Sequence, residues 1–175
     1  SGSLARVSSY LNELRSSPLG DNVVLLDNGD ILQGQPTAYY YNTVAIEHKH
    51  LASEVLNYLK CDVAMLGNHD IETGGPTYQR YIGDLECAVV GGNIYLESTD
   101  VPFVPPYVVV ERSGVRIAVI GLTTPAIPNW LPRVLWKGLE FHDMESAAKH
   151  WMQYVNEHES PDLIVGLFHS GYEGG

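Results

Sequence analysis

Three short apolar runs in this chain each break off into residues that bind metals or move protons. Val23-Val24-Leu25-Leu26 runs into Asp27-Asn28-Gly29-Asp30. Val63-Ala64-Met65-Leu66 runs into Gly67-Asn68-His69-Asp70. Leu163-Ile164-Val165-Gly166-Leu167-Phe168 runs into His169-Ser170-Gly171. Such runs are too apolar to alternate, which suits strands covered on both faces. An open α/β sheet gathers its chemistry in the crevice at the carboxyl ends of its strands. The pattern therefore asks for a covered sheet and marks one edge of it.

The remaining segments fit that demand. Leu4, Val7, Leu11 and Leu14 recur at spacings of three and four and mark a helix face. A second helix is expected over residues 44–59, with Leu51, Val55 and Leu59 inward. A short one is expected over 78–85, and another over 144–158 with Ala148, Met152 and Val155 inward. Strands are expected at 23–27, 62–67, 87–91 and 163–168. Residues 107–111 and 115–121, split by Arg112-Ser113-Gly114, read as a hairpin. Residues 29–37, 100–106 and 123–132 carry the glycines and prolines of loops. The order αβαβαβ, then ββ, then αβ predicts an α/β layered sandwich, a mixed, largely parallel β-sheet with flanking helices. No linker composition divides residues 1–175.

Composition narrows the function classes. Apolar residues make up 45% of the chain, enough for a core. The net charge of −11 argues against a nucleic-acid polymer surface. Phosphate-bearing substrates stay open, because a bound divalent cation reverses the local sign. No apolar run approaches the ~18 residues of a membrane span, and no signal peptide is recognisable. Cys61 and Cys87 are too few for a disulfide scaffold and read as two buried thiols, with a disulfide as the alternative.

At the strand ends, each residue has two readings. Asp30 is either a turn former or a carboxylate able to bridge two cations. Asn68 either closes an Asx turn or offers a neutral oxygen to a metal. His169 is either a satisfied structural histidine or a ligand. His69 points away from its neighbour Asn68 and suits proton donation to a phosphoryl oxygen or leaving group. It then needs an orienting acid, and Asp70 and Glu72 are the local candidates. Asp, Asn and His together suit borderline or hard divalent ions, and no thiolate site is implied. Other signatures are missing: Phe168 occupies the first glycine position of a GxSxG elbow, and no GxGxxG or P-loop occurs.

The blocks Asp27-Asn28-Gly29-Asp30-Ile31-Leu32-Gln33-Gly34, Gly67-Asn68-His69-Asp70 and Phe168-His169-Ser170-Gly171 resemble, in order, those of the calcineurin-like metallophosphoesterases. Gln33-Gly34-Gln35-Pro36 and Gly121-Leu122-Thr123-Thr124-Pro125 resemble the branch of 5′-nucleotidases, UDP-sugar hydrolases and 2′,3′-cyclic-nucleotide 2′-phosphodiesterases. The resemblance implies roles. Asp30 would bridge two divalent ions (Mn, Zn, Co, Fe or Mg), and Asn68 and His169 would ligate one of them. His69 would be the catalytic histidine, with Glu72 or Asp70 orienting it. The substrate would be a nucleotide or cyclic nucleotide, and the setting the periplasm or cell surface.

Departures from the family pattern shape further expectations. No Asp-x-His and no GHxH occurs, and there is no C-terminal nucleotide-specificity domain. The chain therefore reads as a partial catalytic domain lacking the family's first strand and closing segment. At most one weakly held metal is expected, with an inactive fragment and a possible strand-exchanged homo-oligomer. A non-catalytic module and a metal-free nucleotide- or sugar-binding α/β protein are the competing readings.

Overall fold

A computed structural model describes residues 3–171. Helix α1 (Leu4–Arg15) is capped by the Ser3 hydroxyl, which accepts the Arg6 N–H and so satisfies one orphan donor of the first turn. Of its expected stripe only Leu11 is buried; Leu4 and Val7 are exposed. Arg15 anchors the helix by donating to the carbonyls of Leu59 and Lys60.

Residues 23–27 do not form the expected strand. They run beside β1 (Val63–Met65) and meet it in one parallel bridge, Leu26↔Val63. Side-chain competition explains this. The Asp62 carboxylate accepts the Leu25 N–H at 2.7 Å, replacing a ladder partner. Arg112 holds that carboxylate and also donates to the Val23 carbonyl.

The helix expected over 44–59 is shorter, α3 (Leu51–Tyr58), and an unexpected α2 (Pro36–Thr43) precedes it. Pro36 opens α2 at a position where its missing N–H costs nothing. Carbonyls between the two helices are spent on a side chain instead: Arg80 donates to Ala45 and Ile46, and also to Tyr41 in the last turn of α2. His50 then starts α3, its Nδ1 accepting the Ala52 N–H at 3.1 Å. Ser53 and Leu56 are the buried residues of α3; of the expected stripe Leu59, at the C-cap, is buried, Val55 is half-buried and Leu51 is exposed.

Next come α4 (Asn68–Glu72), α5 (Gly75–Asp84) and β2 (Ala88–Val90), which pairs with β1 in parallel register, Val63↔Ala88. Two strands were not expected: β3 (Ile94–Leu96) and β6 (Leu139–Phe141), an antiparallel pair. The hairpin forms as β4 (Tyr107–Arg112) and β5 (Val115–Thr123). Its turn residues Ser113 and Gly114 both have positive φ, 49° and 81°, the type I′ geometry that follows strand twist. The proline-rich loop holds a short α6 (Ile127–Trp130). Helix α7 (Met144–His158) leads into β7 (Leu163–His169), parallel to β5, with Thr123 opposite His169.

Strand alternation sorts these residues into layers. Ala64, Leu66 and Val89 face Leu56, Ile71, Tyr78 and Tyr81 beneath α3–α5. Val63, Met65 and Val90 turn the other way and meet Val119 and Leu167 between the sheets. Ala118, Ile120 and Leu122 pack on Val155 of α7. The result is helix, sheet, sheet, helix, the layered α/β sandwich expected. Met152, expected inward on α7, is 47% exposed. Trp151 packs there instead, its indole N–H donating to the Gly92 carbonyl at 2.8 Å. Buried Asn93 latches the end of β5, accepting the Thr123 N–H and donating to the Thr123 carbonyl. That end of β5 lies beside His169.

Candidate metal centre

The structure brings Asp30, Asn68 and His169 together. His169 Nε2 lies 3.1 Å from Asp30 Oδ2 and 3.1 Å from Asn68 Oδ1. Its other nitrogen, Nδ1, is 2.7 Å from the Asn28 carbonyl. A carbonyl only accepts, so Nδ1 carries a proton and the neutral ring leaves a lone pair on Nε2. Three lone pairs then face one another, and either a proton on Nε2 or a cation must sit among them. A backbone carbonyl behind a histidine is also the usual support of a metal-bound imidazole. The residues present therefore fit a divalent ion of the borderline or hard kind. Among the described residues no three His, Cys, Asp or Glu side chains gather as a metal site; the third donor here is the Asn68 amide.

Two glycines make the room. A Cβ on Gly67 would lie 2.2 Å from Asp30 Oδ1 and 2.8 Å from His169 Nε2. Gly29 has φ +84°, and a Cβ there would meet the Gly67 nitrogen at 2.4 Å. The two loops pass so close that neither position admits a side chain. Asp30 itself sits at φ 65°, a left-handed conformation that Asp tolerates better than most residues.

Asp70 holds this geometry. It is fully buried, and its Oδ2 accepts the N–H groups of Asp30 at 2.7 Å and Gly67 at 2.8 Å, while Oδ1 accepts that of Leu32 at 2.9 Å. Burial pushes its carboxyl up to about 6 against the pull of those three donors. All three partners are donors, so the ionised form is the one the site is built for. Asp70 thus clamps the two ligand-bearing loops by their backbones and makes no bond to the His69 ring.

Glu72 makes that bond. His69 Nδ1 lies 2.8 Å from Glu72 Oε2, one helical turn on. The Glu72 hydrogen bond raises the His69 pKa above its usual value, with smaller help from the charges of Asp30 and Asp70. The His69 backbone N–H donates to Asp30 Oδ1 at 2.9 Å, so its Cα is tied to the centre while its ring stays half-exposed.

Sequence reasoning missed two residues. Asn28 receives the His169 proton and also donates from Nδ2 to the Phe168 carbonyl at 3.1 Å. Burial raises the Asp27 pKa against the pull of the Gly29 N–H, which donates to its carboxylate. The available signal was their place at the end of the first apolar run.

No protein-family model matches the chain. The 2′,3′-cyclic-nucleotide 2′-phosphodiesterase/3′-nucleotidase of Haemophilus influenzae is 28% identical, over 95% of this chain and 26% of its own length. The 5′-nucleotidase of Vibrio cholerae is 27% identical, over 97% of this chain and 30% of its own. The crystal structure of the calcineurin-like phosphoesterase YfkN from Bacillus subtilis superposes with a TM-score of 0.83 at 26% identity, covering 97% of this chain and 54% of that one. In fold the chain is similar to a calcineurin-like phosphoesterase, and in sequence to proteins named as phosphodiesterase and nucleotidase hydrolases. Those relatives are of the 5′-nucleotidase and 2′,3′-cyclic-nucleotide phosphodiesterase branch. The chain spans about a quarter to a third of the length of these curated relatives.

Proposed function

We propose that this chain is part of the catalytic domain of a metal-dependent nucleotide phosphoesterase acting on monoesters or 2′,3′-cyclic diesters. The observation that carries the reading is the convergence of Asp30 Oδ2, Asn68 Oδ1 and His169 Nε2, with His169 Nδ1 bonded to a carbonyl. Asp30 would serve as the shared carboxylate of two divalent ions, and Asn68 and His169 as ligands to one. Such ions, when bound, neutralise phosphoryl charge and supply hydroxide at neutral pH. The catalytic role would fall to His69. Glu72 occupies its Nδ1 and favours the protonated ring, leaving Nε2–H to donate to a phosphoryl oxygen or to protonate the leaving alkoxide. Gly29 and Gly67 keep side chains out of the space the phosphoryl group needs.

A C-terminal domain that reads the base, and an exported location, belong to the same proposal; the length of the relatives and the family resemblance support them. Among the described residues no helix is long and apolar enough to cross a membrane. The test is hydrolysis of AMP, 2′,3′-cyclic AMP and a UDP-sugar by the full-length protein, with and without manganese. Metal-stimulated release of phosphate or of a ring-opened nucleotide is expected. Equal rates after chelation, or no turnover of any of the three, would overturn the reading.

A further inference from the structure

The two cysteines lie at the ends of the strands remote from the candidate metal centre. Cys61 comes two residues before β1 and Cys87 immediately before β2. Parallel register pairs Val63 with Ala88, so Cys61 and Cys87 are diagonal neighbours across the two chains. Strand spacing and rise place such Cα atoms about 6 Å apart, inside the range a disulfide spans. Both side chains are thiols, half-buried at the rim of the core under α3 and α5. The Cys61 thiol lies 3.6 Å from the Leu25 carbonyl and 3.3 Å from that of Val63, and Cys87 is the group that most strongly raises its pKa. Both side chains pack against the same core cluster, which puts the two thiols side by side at one rim.

We propose that Cys61 and Cys87 are a redox pair, closing to an intramolecular disulfide when the chain meets a small disulfide oxidant such as oxidised glutathione. The Cys87 thiolate attacks one sulfur of the oxidant. The oxidant's S–S bond breaks, one thiolate leaves and takes up a proton, and a mixed disulfide remains on Cys87. Cys61 loses its proton and attacks the Cys87 sulfur, and a second small thiol departs. Two protein thiols are oxidised by two electrons and one small disulfide is reduced to two thiols. The order follows from the mutual influence of the neighbouring thiols and from burial: Cys87 is held below the usual thiol range and Cys61 is pushed up. The bond would staple β1 to β2 at the ends away from Asn68. It should change stability and leave the metal centre alone, and it stands whether or not the phosphoesterase reading does.

The experiment equilibrates the chain across a series of reduced-to-oxidised glutathione ratios, then quenches in acid, alkylates and measures intact and peptide masses. Expected is a one-step loss of both free thiols with a mass decrease of about two units and a Cys61–Cys87 cross-linked peptide. The oxidised form should melt roughly 5–10 °C above the reduced one. Cys61→Ser should accumulate a glutathione adduct on Cys87, and Cys87→Ser should react at least about tenfold more slowly at Cys61. Two adducts per chain, intermolecular dimers, or two free thiols in fully oxidised buffer would overturn the pair. A faster adduct on Cys61 than on Cys87 would overturn the order of attack. The wild-type masses decide the main point even if a serine variant fails to fold.

Discussion

His50 shows how one proton can govern stability here. The ring is 1% exposed, its Nδ1 accepts the Ala52 N–H, and its Nε2 is 2.8 Å from Asn42 Oδ1. Only a neutral ring can accept at Nδ1. Burial, and then the Arg80 charge, lower its pKa to about 4. In the unfolded chain a histidine titrates near 6.5, so between those values the unfolded state binds the extra proton. Stability should therefore be full above pH 7 and fall as pH drops from about 6.5 to 4, by about 3 kcal/mol. Urea midpoints at pH 7.5 and 4.5 measure this, and His50→Gln should flatten the dependence. His69 titrates the other way: Glu72→Gln should bring its raised pKa back toward the usual value, as read by NMR of the ring protons. In the full-length protein His69→Ala should cut hydrolysis by about 10²- to 10⁴-fold while metal content is kept. Proportional loss of metal would make His69 a ligand instead. Gly67→Ala would thrust a methyl at Asp30 and His169, and manganese affinity should suffer more than the melting temperature.

Among the elements, the pair formed by the Asp30 loop and α4 is held by one buried carboxylate. Asp70→Ala would leave three buried N–H groups without partners, each costing about 1–3 kcal/mol. We expect a total loss of about 3–5 kcal/mol in urea unfolding; a loss under about 1 kcal/mol would mean water replaces the carboxylate. The same residue shows where the sequence was legible and where it was not. That Asn68, Asp30 and His169 would meet followed from apolar runs ending in polar residues; that Asn68 and His169 reach the centre from two different sheets rather than one sheet edge did not. Which acid would orient His69 did not follow. Asp70 and Glu72 both lie on the same short helix, and their directions depend on a loop 40 residues earlier. Helix α7 was readable because its period is strong from end to end. Residues 44–50 misled because Val44, Ala45 and Ile46 look helical, while Arg80, 34 to 39 residues from its acceptors, takes the carbonyls. The β3–β6 pair has only three residues a side and joins distant segments, so no local pattern announces it.

For the whole molecule, the proposed function would have Asp30, Asn68 and His169 offer three donors to one ion and leave only the shared Asp30 carboxylate, among the described residues, for a second. Two-metal catalysis holds its ions about 3.5–4 Å apart by protein ligands on both. Manganese titration of the 175-residue chain should accordingly find no more than one weak site, and AMP turnover should stay far below that of a complete 5′-nucleotidase. Turnover at parity would reveal ligands beyond those described. The Asp70 clamp carries one more consequence. Amide protons of Asp30, Gly67 and Leu32 all end on one carboxylate, so none can reach deuterated solvent unless that carboxylate lets go. Their deuterium uptake should share a single rate, faster in apo protein and slower once an ion pins the loops. Three isotopic signals would then keep one clock, ticking at the pace at which the centre opens.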